Sequence, residues 1–147
     1  MPDETGVRVL RALAGDEDEI ARFEEAFDNR MLPDETRRFL EDERHHLLLG
    51  YVDDRPAGFL SAVEVFHQDK RSELFLNEVA VMEEARRQGV ARALVDELKR
   101  IGHERGCVSM WVLTDEDNAA AMRLYPSTGG VWNGEPAVMF EYALDEA

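Results

Sequence analysis

The feature that most constrains the fold is a strand–helix–strand unit in the middle of the chain. Leu74–Met82 is an apolar run, Val90–Arg105 an amphipathic one, and Val108–Leu113 a second compact apolar run. Within Val90–Arg105 the residues Val90, Ala91, Leu94, Val95, Leu98 and Ile101 form one stripe at helical spacing. Gly106 follows as a C-terminal stop. Two neighbouring strands joined through a crossover helix lie parallel. Upstream, His46–Val52 and Ala57–Phe66 flank the turn-forming Asp53-Asp54-Arg55-Pro56 and predict a hairpin, with Leu74–Met82 following the polar loop His67–Ser72. Three strands on short loops make an antiparallel meander. The expected fold is therefore α+β in three layers: a mixed, mostly antiparallel sheet with one parallel pair and about four helices.

The remaining segments fit around that frame. Val7–Leu13 reads as a first strand. Glu17–Asn29 reads as an acidic helix carrying Ile20, Phe23 and Phe27, and Asp34–Glu43 as a second one entered at Pro33. These two helices hold most of the N-terminal acid and are placed to wall a binding site. Asn118–Tyr125 predicts a short helix stopped by Pro126, and the alternating Val138–Leu144 a closing strand, with Val131–Trp132 a short one before it. At 147 residues, with no repeat and no compositional break, residues 1–147 read as one domain.

Charge narrows the partners. A net charge of −15 argues against nucleic acid and anionic membranes and favours a cationic small molecule. No apolar run reaches the length of a membrane span, and the acidic start Met1–Glu4 does not read as a signal peptide. The single cysteine, Cys107, excludes an internal disulfide and reads as a buried small hydrophobe in a cytoplasmic protein. His45 and His46 are adjacent in a strand, so they point to opposite faces, and no metal site is expected.

An anion, by contrast, has a place to go. Arg86-Arg87-Gln88-Gly89-Val90-Ala91 joins the strand Leu74–Met82 to the long helix. The first N–H groups of a helix lack intrahelical partners and carry the positive end of its dipole. Gly89 lets a phosphate approach the backbone, and Arg86 and Arg87 add charge. The loop reads as a diphosphate cradle. No Gly-Lys-Ser/Thr follows and the three-glycine dinucleotide spacing is missing, so neither common nucleotide motif is present.

Glu78 stands out beside it. It is a carboxylate inside the apolar strand Leu74-Phe75-Leu76-Asn77-Glu78-Val79-Ala80-Val81, shortly before the loop. Strict alternation places Leu76, Glu78 and Ala80 on one face and Asn77, Val79 and Val81 on the other. A carboxylate at the edge of an apolar sheet has its pKa raised and becomes a better base near neutrality. A solvated Glu78, or one paired with an arginine, is the structural alternative that the residues alone leave open.

The spacing Arg86-x-x-Gly89-x-Ala91 resembles the acetyl-CoA pyrophosphate motif of the GNAT N-acetyltransferases, and the element order of nearly the whole chain is similar to theirs. Asn118-Ala119-Ala120-Ala121-Met122-Arg123-Leu124-Tyr125 resembles the family's last helix, which an Asn starts and which carries a Tyr seven residues on. The family usually continues Tyr-x-x-x-Gly-Phe, whereas this chain reads Tyr125-Pro126-Ser127-Thr128-Gly129-Gly130. Within the family, Phe75–Val81 followed by Arg86–Ala91 is most similar to the aminoglycoside 3-N-acetyltransferases. Glu78 takes the place of their strand aspartate and Asn77 that of the preceding tyrosine, and Arg71-Ser72-Glu73 resembles their lead-in.

The resemblance implies acetyl-CoA as donor. Its pyrophosphate would lie on Arg86, Arg87, Gln88, Gly89, Val90 and Ala91, and its pantetheine arm along Val79, Ala80 and Val81, with Asn118 and Tyr125 completing the donor site. It implies Glu78 as general base and Tyr125 as general acid, a tyrosine holding its proton at neutral pH. Asn77, Glu78, Asp115 and Asp117 would meet the acceptor, although an acidic triplet before a helix is also expected from the dipole. A homodimer through the terminal strands is implied as well. Two other functions stay open: transfer to another amine (a polyamine, a peptide N-terminus or a lysine), and acyl-CoA binding without catalysis, which needs neither Glu78 nor Tyr125.

Overall fold

The structure is a computed structural model that describes residues 6–145. The chain divides into two compact units, Met1–Val112 and Leu113–Ala147. The first holds β1 (Val7–Arg11), α1 (Glu17–Ala21), a 3-10 turn (Glu24–Ala26), α2 (Pro33–Glu41), β2 (His45–Val52), β3 (Arg55–Val65), β4 (Glu73–Val81), a second 3-10 turn (Glu83–Ala85), α3 (Val90–Glu104) and β5 (Ser109–Trp111). The second holds α4 (Ala119–Ser127). No helix among the described residues is long and apolar enough to cross a membrane.

The sheet runs in chain order, β1-β2-β3-β4-β5. The first three neighbour pairs are antiparallel, and β4 with β5 is the one parallel pair, as the central crossover requires. The β2–β3 hairpin turns on Asp53 and Asp54, with φ of 49° and 64°. Two consecutive left-handed residues match the twist of the flanking strands, and Asp tolerates that region better than most residues.

Cross-strand registers assign the two faces. Leu47, Leu49, Tyr51 and Phe59 lie on the face that α1 and α2 cover, in one cluster with Ile20, Phe23 and Met82. Phe23 meets Tyr51 edge-on at 5.3 Å, and Phe27 meets Phe59 at 4.8 Å. The acidic segment expected as one helix over Glu17–Asn29 is instead α1 and a 3-10 turn. So short a helix gains little from its own hydrogen bonds, and the two phenylalanine anchors decide its path.

The opposite face belongs to α3, whose Val90, Leu94, Val95, Leu98 and Ile101 are buried. Its C-terminus closes in a Schellman motif. Gly106 at φ 77° donates to the His103 carbonyl, and Cys107 donates to that of Gly102. At its N-terminus α3 sits close to the sheet because Gly50 and Gly58 are cross-strand partners beneath Val90. A Cβ on Gly58 would stand 2.6 Å from the Ala80 carbonyl oxygen and 3.2 Å from a Val90 methyl. Gly58→Ala therefore has to push β4 outward. We expect a loss of about 1–3 kcal/mol, as for other overpacked sites, read as a lower urea midpoint at unchanged slope.

Two expectations about the C-terminal region do not hold. Val138–Leu144 forms no strand, nor does Val131–Trp132. Alternation makes a strand only where another strand's edge accepts the hydrogen bonds, and none among the described residues does so; Val138, Phe140, Tyr142 and Leu144 are at least 80% exposed. Pro126 does not stop α4, which runs on to Ser127. A proline in the last turn forfeits only its own N–H bond, and the carbonyls behind it are taken up from beyond. Thr128 donates to Leu124, and Gly130 to Tyr125.

Candidate active site

The site is built on the second half of β4. Between Ser61 and Ala62 the β3–β4 register slips: Ser61 pairs with Glu78, but Ala62 pairs with Leu76. Asn77 is left as the extra residue of a β-bulge. This overturns the simple alternation. Leu76, opposite Ala62, is fully buried on the α3 face, whereas Glu78, opposite Ser61, stands on the face of α1 and α2 with Ala80. The bulge turns a carboxylate that alternation would align with a core leucine towards the acidic helices.

There Glu78 is open to solvent and receives a long hydrogen bond from Ser61, Oγ to Oε1 3.4 Å. It has no cationic partner among the described ion pairs, so of the two structural alternatives the arginine pair is not formed, while the exposure to solvent is. Partial burial raises its pKa above the ordinary 4.5, and the negative charge of Asp28 raises it further. Asp28 was not singled out from the sequence. It follows Phe27, whose ring sits on Phe59, and Phe59 lies two residues from Ser61 on the same face. Its only sequence signal was membership of the acidic segment; that it neighbours Glu78 is a tertiary fact.

The far edge of β4 is also exposed for use. β5 pairs with β4 only at Glu73, Phe75 and the intervening Leu74. Over Leu76–Val81 no strand among the described residues takes that edge, so the main chain of Val79, Ala80 and Val81 faces outward there. β4 then turns through Glu83–Ala85 into the arginine loop. Arg87 is left-handed at φ 64° and Gly89 at φ 82°. Gly89 is the N-cap of α3 and offers no side-chain acceptor to the first-turn amides, and that turn contains no carboxylate. A Cβ at Gly89 would meet nothing within 4 Å, so space lies open above the bare helix end. Arg86 and Arg87 are exposed and lie outside every ion pair described. An uncapped helix N-terminus, free guanidinium groups and open space fit a diphosphate. Gly89→Ala should raise the KM for an anionic donor several-fold, while the left-handed backbone costs about 1–2 kcal/mol of stability. Steady-state kinetics beside a urea melt separates the two effects.

The other predicted residues lie in the second unit. Asn118 caps α4, its Oδ1 accepting from Ala121 N–H at 3.0 Å. That structural duty alone explains its type. Tyr125 is half-buried near the end of α4, and burial raises its pKa above 10, so it keeps its proton at neutral pH. Asp115 and Asp117 are exposed in the turn that leads into Asn118.

Comparison with known proteins gives these features a context. No curated protein sequence matches the chain. Among solved structures, an aminoglycoside acetyltransferase, meta-AAC0020 from an uncultured soil metagenomic sample, in complex with trehalose, superposes with a TM-score of 0.85 at 17% identity, covering 97% of this chain and 99% of that one. A second soil metagenomic aminoglycoside acetyltransferase, HMB0005, reaches 0.81 at 27% identity over 95% and 99%. AAC(6')-Iy, bound to the bisubstrate analogue CoA-S-monomethyl-acetylneamine, reaches 0.78 at 16% over 93% and 98%. The family model for acetyltransferases of the GNAT type matches residues 12–129, so the bulged β4, its open edge and the uncapped α3 belong to a GNAT-family acetyltransferase, with acetyl-CoA as its acetyl donor.

Proposed function

We propose that the protein transfers the acetyl group of acetyl-CoA to an amino group of an aminoglycoside, at the 3-amino position. The observation that carries this reading is Glu78: a carboxylate with raised pKa, unpaired with any described cation, facing a second acid, Asp28. A polyamine arrives as ammonium ions. Two carboxylates on one face attract it, and one of them has to take a proton before nitrogen can attack. Fold similarity to aminoglycoside acetyltransferases, at up to 27% identity for HMB0005, supports the acceptor class.

In this mechanism Arg86–Ala91 holds the diphosphate and the free β4 edge at Val79, Ala80 and Val81 orients the arm of the donor. Glu78 removes the proton, directly or through a water, and an N–H near Val79 stabilises charge that develops on the carbonyl oxygen. Tyr125 supplies a proton to the departing thiolate, and Asn118 orders the start of its helix. Asn77, placed beside Glu78 by the bulge, and Asp115 and Asp117 contribute to acceptor binding. No acyl-enzyme is needed, because a nucleophile held against the thioester reacts directly. The reading treats residues 1–147 as one catalytic domain in the cytoplasm. It includes a homodimer that covers the exposed Val138, Phe140 and Tyr142, which sedimentation equilibrium tests.

The deciding experiment is release of free CoA thiol from acetyl-CoA with gentamicin-type aminoglycosides, spermidine or a lysine peptide as acceptor. Turnover confined to aminoglycosides, with the product acetylated at the 3-amino group by NMR, is expected. Turnover with spermidine or the peptide alone moves the assignment to another amine. Tight acetyl-CoA binding with no turnover replaces catalysis by a binding role.

A further inference from the structure

A cavity of about 260 Å³ lies away from Glu78, between β1 and the C-terminal half of α3. Its walls include Val9, Arg11, Ile101 and Arg105, with Glu97, Arg100 and Glu104 also lining it. Arg100 is satisfied within its own helix, bonding Glu97 and Glu104 at 2.6 Å each. The other two cations of the lining are Arg11 and Arg105.

Among the described residues one buried carboxylate, Glu64, lies at this end of the helix and serves Arg105. Glu64, 5% exposed, accepts from Arg105 Nε, and its Oε2 also lies 3.3 Å from His46 Nε2. Cys107 Sγ is 3.8 Å from its other oxygen. This corrects the expectation for Cys107, which is half-buried in a polar cluster rather than a packed hydrophobe. Arg11 gets little of what remains. Its Nη2 makes long contacts to the carbonyls of Glu43 and His45, at 3.3 and 3.4 Å, and its buried Nε has no acceptor. Burial and the neighbouring Arg105 lower its pKa despite Glu64 and the exposed Glu43. An Arg11 Nε–H without an acceptor thus belongs to a side chain that lines, with Arg105, a cavity large enough for a small molecule.

We infer that the cavity between β1 and α3 binds a small carboxylate anion, held by Arg11 with Arg105 behind it. A planar carboxylate matches the guanidinium fork and supplies the acceptor that Arg11 lacks. The site uses no residue assigned to acetyl transfer, so it stands or falls separately from that reaction.

The test is NMR of the full chain, following the arginine Nε–H resonances during titration with sodium acetate and with sodium chloride at matched ionic strength. The Arg11 Nε–H signal should shift saturably with acetate and not with chloride, while the Gly89 amide stays in place. Arg11→Lys, which keeps the charge but removes Nε, should abolish saturation without changing basal acetyl transfer. Linear shifts equal in both salts mean screening or bound water only and overturn the proposal. Tighter saturation by inorganic phosphate than by acetate overturns the carboxylate assignment. Should Arg11→Lys fail to fold, the wild-type titration decides alone, since the saturating resonance must be that of Arg11.

Discussion

Glu78→Gln should lower kcat by ~10²–10⁴-fold, the usual contribution of a general base, while leaving acetyl-CoA affinity almost unchanged. The amide keeps the shape and can still bond Ser61 Oγ, but it cannot take the ammonium proton. Direct titration calorimetry with acetyl-CoA, beside steady-state kinetics, separates the two quantities, and an unchanged kcat removes Glu78 from the mechanism. The pH dependence has a definite sign. A base works only when deprotonated, so the rate falls as pH drops through the pKa of Glu78, which burial and Asp28 place above the ordinary 4.5. Asp28→Asn removes a negative neighbour, lowers that pKa and moves the acidic limb of the kcat/KM profile to lower pH. A limb that stays put means Asp28 does not tune Glu78.

The second large effect concerns stability. Glu64→Gln should cost about 1.5–3 kcal/mol, because the buried carboxylate loses its charge-assisted hydrogen bonds while Arg105 keeps partial access to water. Glu64 touches groups from β2, the end of α3 and the segment into β5, through His46, Arg105 and Cys107. Its loss removes the Arg105 counter-charge at the point where the crossover returns to the sheet. Urea denaturation measures the change, and a loss below about 1 kcal/mol would show the cluster to be hydrated in solution. The same cluster sets an acid limit. Burial, with Arg11 nearby, depresses the pKa of His46 below 6.5. The unfolded chain then binds the proton more readily than the folded one. Stability from keeping His46 neutral is present above pH 6.5 and is lost as pH falls through its folded pKa.

Much of this was legible in the residues because it is local. The α3 stripe, its glycine stop and the Asp53-Asp54 turn follow from short-range periodicity and backbone preference. A crossover helix leaves β4 and β5 only a parallel pairing, and family membership follows from Arg86–Ala91 with that element order. Glu78 was visible as a charge in an apolar strand. What the sequence could not decide is which face Glu78 occupies. A bulge at Asn77 depends on how β3 and β4 pair, and one slipped residue reverses every later side chain. Nor does a linear pattern show that Asp28 comes to Glu78, because Phe27 packing on Phe59 is a contact across 32 residues. Val138–Leu144 alternates as a strand should, yet hydrogen bonding to a neighbour, not alternation, makes one. Sequence by itself determined the elements and the chemistry available on them. Only the tertiary structure decided which charges meet, because that depends on pairings between residues far apart along the chain.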